Sequence, residues 1–160
     1  MILFLALNWL GDSLDGTLAR VRNQQRPRYG FYIDHVVDAF GTLFLLAGLA
    51  LSGYMSERIA TGLLIAYFML SIEVYLATYT IGTFQLSFWK FSPTELRVLL
   101  IAGNIALLYK PVVHLMGGAY LLFDVGGATG IAGMALMLLT AAARHTAALY
   151  RAEPVSKGPR

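Results

Sequence analysis

The chain has 160 residues, of which 58% are hydrophobic and 13% charged. A soluble domain carries about a quarter charged residues, and the mean hydropathy here is +0.64. These values exclude a water-soluble globule, a disordered tail and a basic nucleic-acid-binding domain, and they point to a polytopic membrane protein. With no cysteine, disulfides, Cys-ligated zinc and iron–sulfur clusters are excluded as well.

Runs without acids or bases mark the spans: 39–56, 59–72, 74–89 and 125–143. A helix needs about 20 mostly apolar residues to cross the hydrocarbon. Five helices are predicted: Ile2–Val21, Tyr29–Gly53, Glu57–Gly82, Pro93–Leu115 and Ala119–Tyr150. No run alternates with period two, so a closed barrel is not expected. The fold class is therefore all-α, a polytopic transmembrane helical bundle. It forms a single membrane domain over 1–150, followed by a basic tail over 151–160.

The start MILFLALNWL lacks a basic region and a small-residue cleavage site, so it does not read as a signal peptide. Pro27 ends the first connection. Ser92-Pro93-Thr94-Glu95 reads as a capping box with proline at the first helical position, which accounts for Glu95. The stretch 83–91, aromatic with Lys90, suits the membrane interface. A kink is expected at Pro111, and Gly117-Gly118 is expected to close the fourth helix. Gly126-x-x-x-Gly130 is expected to pack within the bundle rather than at a seam between copies.

Ten of the twelve Lys and Arg residues fall on one side of this topology: Arg20, Arg22, Arg26, Arg28, Lys90, Arg97, Arg144, Arg151, Lys157 and Arg160. Arg58 and Lys110 fall on the other. The ten-residue side is the expected cytoplasmic face.

Four of the nine acids, Asp12, Asp15, Asp34 and Asp38, lie within 27 residues at the expected cytoplasmic ends of two consecutive helices. An aspartate in a span costs roughly 2.5–3.5 kcal/mol on insertion scales, so it is a functional hypothesis by default. Residues three or four apart share a helix face. Asp12, Asp15, Gly16 and Ala19 form one stripe with Arg20 at its edge, and Gly30, Asp34, Asp38 and Gly41 form another. The short basic connection makes the two helices antiparallel neighbours, so the stripes can face each other. Helix capping alone does not account for two such pairs with glycine and arginine at set offsets. Four converging carboxylates would repel one another without a cation, and hard oxygen ligands select Mg²⁺, Mn²⁺ or Ca²⁺. Arg20 can neutralise phosphates.

These residues resemble the signature of the CDP-alcohol phosphatidyltransferase family, D-x2-D-G-x2-A-R-x8/9-G-x3-D-x3-D. Asp12, Asp15, Gly16, Ala19, Arg20, Gly30, Asp34 and Asp38 match all eight fixed positions. The resemblance implies a six-helix homodimer that cleaves a CDP-linked donor, transfers the phosphoryl-bearing moiety to an alcohol and releases CMP. It implies two divalent ions, Mg²⁺ or Mn²⁺, on the four aspartates, with Asp38 also the general base. It places Gly16, Ala19, Arg20 and Gly30 at the CDP moiety. The first family helix is expected upstream of Met1, as a further apolar span. The donor is CDP-diacylglycerol with a polar alcohol as acceptor, or a CDP-aminoalcohol with diacylglycerol as acceptor. Asp34-His35-x-x-Asp38 looks like the aminoalcohol branch, although His35 points off the aspartate stripe and suits a structural hydrogen bond. Arg97 is a candidate contact for an acceptor phosphate, with lipid anchoring as the alternative. Glu73 and Asp124 pair with Lys110, Asn104 or backbone groups, or line the acceptor pocket. A divalent-cation transporter is the different-class alternative, but its acids would be spread through the membrane depth rather than gathered at one end.

Overall fold

The computed structural model describes residues 21, 26–82, 93–115 and 117–153. The helix expected over Ile2–Val21 lies outside them except for Val21, which is helical. The interfacial stretch 83–91 and the Ser92 cap also lie outside. The described residues form α1 (Pro27–Leu51), α2 (Glu57–Ile81), α3 (Pro93–Tyr109), β1 (Val112–Leu115), β2 (Gly118–Leu121) and α4 (Leu122–Ala152). Helices α1, α2 and α4 are each long and apolar enough to span a membrane. The fold is an all-α polytopic bundle with one small hairpin.

Local chemistry sets the boundaries. Pro27 sits in the first turn of α1, where its missing N–H is no loss. At the other end the Ser52 hydroxyl donates to Leu49 O at 2.7 Å, and Gly53 takes φ +74° to turn the chain. Ser56 caps α2, its hydroxyl oxygen accepting from Ile59 N–H at 3.4 Å. Gly82 ends α2 with φ +74°; only glycine adopts this left-handed geometry at little cost. Within the spans, hydroxyls bond back to their own helix: Ser71 to Tyr67 O at 2.9 Å and Thr78 to Val74 O at 2.7 Å. Such bonds satisfy donors that lipid cannot.

The fourth predicted helix is corrected. It stops at Tyr109, before Pro111, and Val112–Leu115 and Gly118–Leu121 form an antiparallel hairpin in which Val112 pairs with Leu121 and His114 with Ala119. Proline lacks the N–H that would continue the ladder, and it disfavours helical geometry at the residue before it. The β-branched Val112 and Val113 then suit a strand. Gly117, at φ +84°, makes the turn, and Leu122 N–H donates to Pro111 O at 3.0 Å to close the hairpin base. The last helix accordingly starts at Leu122 rather than Ala119.

Helices α2 and α4 run parallel and pack closely along their length. A Cβ at Gly62 would come within 2.9 Å of Ile131, and one at Gly130 within 3.3 Å of Leu63. The Gly126-x-x-x-Gly130 segment thus packs inside the bundle through Gly130 and the intervening Gly127. Two polar contacts fasten the pair. At one end Ser56 N–H donates to Asp124 Oδ1 at 2.7 Å. Toward the other, His145 Nδ1 and Glu73 Oε1 lie 2.6 Å apart. Asp124 therefore pairs with a backbone group, one of the partners considered in the sequence, whereas Glu73 takes His145 instead of the lysine or asparagine. Asp124 stands in the first turn of α4, where its charge also suits the helix dipole.

Replacing Asp124 by alanine leaves the Ser56 N–H without its acceptor. The expected result is a loss of about 1–3 kcal/mol, seen as a lower unfolding temperature in detergent. Asp124→Asn keeps an acceptor oxygen and should recover most of it. Equal stability for Asp124→Ala and the parent would remove this contact from the account.

The buried core lies at the Asp124 end: Leu46, Leu49, Met55, Ala60 and Phe123, with Ile59, Leu63 and Leu107 against them. Elsewhere the spans expose large apolar side chains, among them Phe40, Phe44, Ile65, Met69, Leu136 and Leu139. In a bilayer these face an apolar solvent, so their exposure carries no hydrophobic penalty.

Candidate active site

The half of α1 away from the core carries the second aspartate stripe. Gly30, Asp34 and Asp38 recur every fourth residue in one continuous helix, so they line one face. All three are exposed among the described residues. Among the described residues, a Cβ built on Gly30 meets nothing within 4 Å, nor does one on Gly41. Glycines thus flank the two carboxylates along this face of α1.

His35 turns away from that face, as expected. Its Nδ1 lies 2.6 Å from Phe31 O, one turn earlier. Its ring stacks at a tilt on Phe31, with centroids 4.1 Å apart, and meets the Tyr75 ring edge-on at 5.1 Å and 75°. Phe31 and Tyr75 also meet edge to face at 6.5 Å. This three-ring contact joins α1 to α2.

Asp12, Asp15, Gly16, Ala19 and Arg20 lie outside the described residues. Arg97 belongs to α3, and its side chain lies outside them too. Two of the four proposed metal ligands are thus placed, one turn apart on α1. Among the described residues no three His, Cys, Asp or Glu side chains gather to hold a metal. Asp34 and Asp38 supply hard oxygen donors on an exposed face, which fits a share in a divalent-ion site completed from another helix.

A profile of the CDP-alcohol phosphatidyltransferase family matches residues 1–149. The chain belongs to this family. The match takes in the whole eight-position signature, all of α1, α2 and α3, and α4 nearly to its end. No curated protein and no solved structure matches the chain. As a CDP-alcohol phosphatidyltransferase family member it is of a transferase type, one associated with phosphatidyl transfer in phospholipid synthesis, and its apolar helices are those of a membrane protein.

Two residues escaped the sequence reading. His145 carried a usable signal, an ionisable side chain in an otherwise apolar helix. Tyr75 carried none: it is one of nine tyrosines, and only the packing of α2 on α1 distinguishes it.

Proposed function

We propose that the chain is an integral-membrane transferase of phospholipid biosynthesis that moves a phosphatidyl group from CDP-diacylglycerol to a polar alcohol. The acceptor oxygen bonds to the phosphorus bearing diacylglycerol. The pyrophosphate P–O bond to CMP breaks, and its electron pair leaves with CMP. The hydroxyl proton passes to Asp38, the general base. Asp12, Asp15, Asp34 and Asp38 hold Mg²⁺ or Mn²⁺, two ions together, which when bound offset the charge on the leaving phosphate. Gly16, Ala19, Arg20 and Gly30 line the CDP moiety. The two glycines and the alanine leave room beside the backbone, and Arg20 neutralises a phosphate. Arg97 contacts an acceptor phosphate. The site faces the cytoplasm, where a lipid donor has its head in water and its tails in the bilayer, and the enzyme works as a homodimer of membrane domains spanning 1–150.

The complete signature carries this reading, supported by the placement of Gly30, Asp34 and Asp38 along one face of α1. His35 between the aspartates favours a second reading, in which a CDP-aminoalcohol is the donor and diacylglycerol the acceptor.

The test is CMP release by the full chain in membranes, from labelled CDP-diacylglycerol with a panel of alcohols and from CDP-aminoalcohols with diacylglycerol. Metal-dependent release from the first donor is expected, and release only from the second selects the aminoalcohol reading. No CMP from any donor by folded protein overturns both. Divalent-cation flux in liposomes, indifferent to CDP donors, would install the transporter in their place.

A further inference from the structure

Glu73 lies inside an apolar span with its side chain 13% exposed. Oε1 is engaged by His145 Nδ1 across the α2–α4 interface. Oε2 is buried and has no hydrogen-bond partner among the described residues. A buried acceptor left unsatisfied keeps its full desolvation penalty, and an ionisable side chain in a span marks function by default. Helix packing does not require it. Gly62, Gly127 and Gly130 already bring α2 and α4 into contact, and Asp124 already ties their other ends.

What lies across α2 gives the pair a purpose. Residues two apart on a helix project about 200° apart. Glu73 meets α4, whereas Tyr75 meets α1 through the His35 and Phe31 rings. His35 stands between Asp34 and Asp38 in the chain, so the register of Tyr75 on His35 also sets how the carboxylate face of α1 is turned relative to α2. A side chain reaches roughly 5–6 Å from the helix axis, so turning α2 by about 20° carries the tyrosine tip by about 2 Å.

We propose that Glu73 and His145 are positioning residues: gripping α2 from behind, they set the rotation at which Tyr75 packs on His35 and so fix the carboxylate-bearing face of α1. The kinetic consequence rests on the transferase reading; the structural one does not.

The experiment uses the full chain in nanodiscs with ¹³C-labelled histidine. The chain has three histidines, so three ring signals, assigned by single His→Gln variants, report the outcome. Glu73→Ala is expected to move the His145 signal and also that of His35, which Glu73 does not touch, because the Tyr75 ring shifts above it. Glu73→Gln, which retains an acceptor oxygen, should leave His35 close to the parent. In the CMP-release assay, Glu73→Ala and His145→Ala should each lower kcat by about 10²-fold, the scale of a 1 Å misplacement. KM for the donor should change little, and the double variant should be no worse than either single one. If Glu73→Ala does not fold, His145→Gln and His145→Ala give the same comparison from α4, read on His35. An unmoved His35 signal, or an unchanged kcat in the folded variants, overturns the proposal. Absence of CMP release by the parent chain would instead overturn the transferase reading, and the His35 signal would still decide the positioning.

Discussion

Asp38→Asn is expected to lower turnover by orders of magnitude while the protein still binds its CDP donor. Asparagine has the same shape but neither the charge nor the basicity of the carboxylate. If Asp38 takes the acceptor proton, CMP release should fall roughly 10²–10⁴-fold, the usual contribution of a positioned base. The fall should appear in kcat, because the donor is held by the CDP-lining residues rather than by the base. Asp38 is exposed on α1, and surface substitutions rarely change stability by more than about 0.5 kcal/mol, so an unchanged unfolding temperature is the control. Asp12→Asn should behave differently. As a ligand without the base role, its loss should raise the Mg²⁺ or Mn²⁺ concentration needed for half-maximal activity. Titrating metal against CMP release in both variants separates the roles: excess metal should restore Asp12→Asn but not Asp38→Asn, which loses the base together with a ligand. Equal and mild effects from the two would show that neither role is assigned correctly.

How much of this was legible depends on the range of the interaction. The carboxylate face of α1 is local: Asp34 and Asp38 are one turn apart, and an unbroken apolar helix puts them side by side whatever the rest of the chain does. The ends of α1 and α2 were legible within two residues, because Pro27, Gly53, Ser56 and Gly82 act on their own turn. The sequence predicts a kink at Pro111, whereas the helix ends before it, at Tyr109. The residues after the proline make the difference: a short apolar run such as Val112–Leu115 is compatible with helix or strand, and only pairing with Gly118–Leu121 decides for the strand. The partners of Glu73 and Asp124 stand 72 and 68 residues away, and no periodicity reports which helices lie side by side. For the same reason the meeting of the Asp12–Asp15 stripe with the Asp34–Asp38 stripe stays a proposal drawn from the signature and the short connection.

Gly127 is the position where one added methyl group should do most damage to the bundle. A Cβ there would overlap Ile59 Cγ2 and lie 3.2 Å from Leu63 Cδ1. The Ile59 methyl group hangs directly on a β-carbon, so no distal rotation moves it away, and α2 and α4 must separate or Ile59 must leave its rotamer. Overpacking of this kind costs about 1–3 kcal/mol, set against the roughly 0.8–1.0 kcal/mol that alanine gains over glycine in a helix. Gly127→Ala is therefore expected to lower the unfolding temperature, and Gly127→Leu to lower it further. Gly126 is the internal comparison. It is the preceding residue of the same helix, yet a Cβ there meets nothing within 4 Å, so Gly126→Ala should be neutral or stabilising. Ile59→Ala should partly rescue Gly127→Ala by opening the space that the new methyl group needs, a coupling that a double-mutant cycle in detergent would measure. If Gly126→Ala and Gly127→Ala destabilise alike, helix propensity rather than the α2–α4 contact governs both, and the close approach at Ile59 is not what holds these helices together.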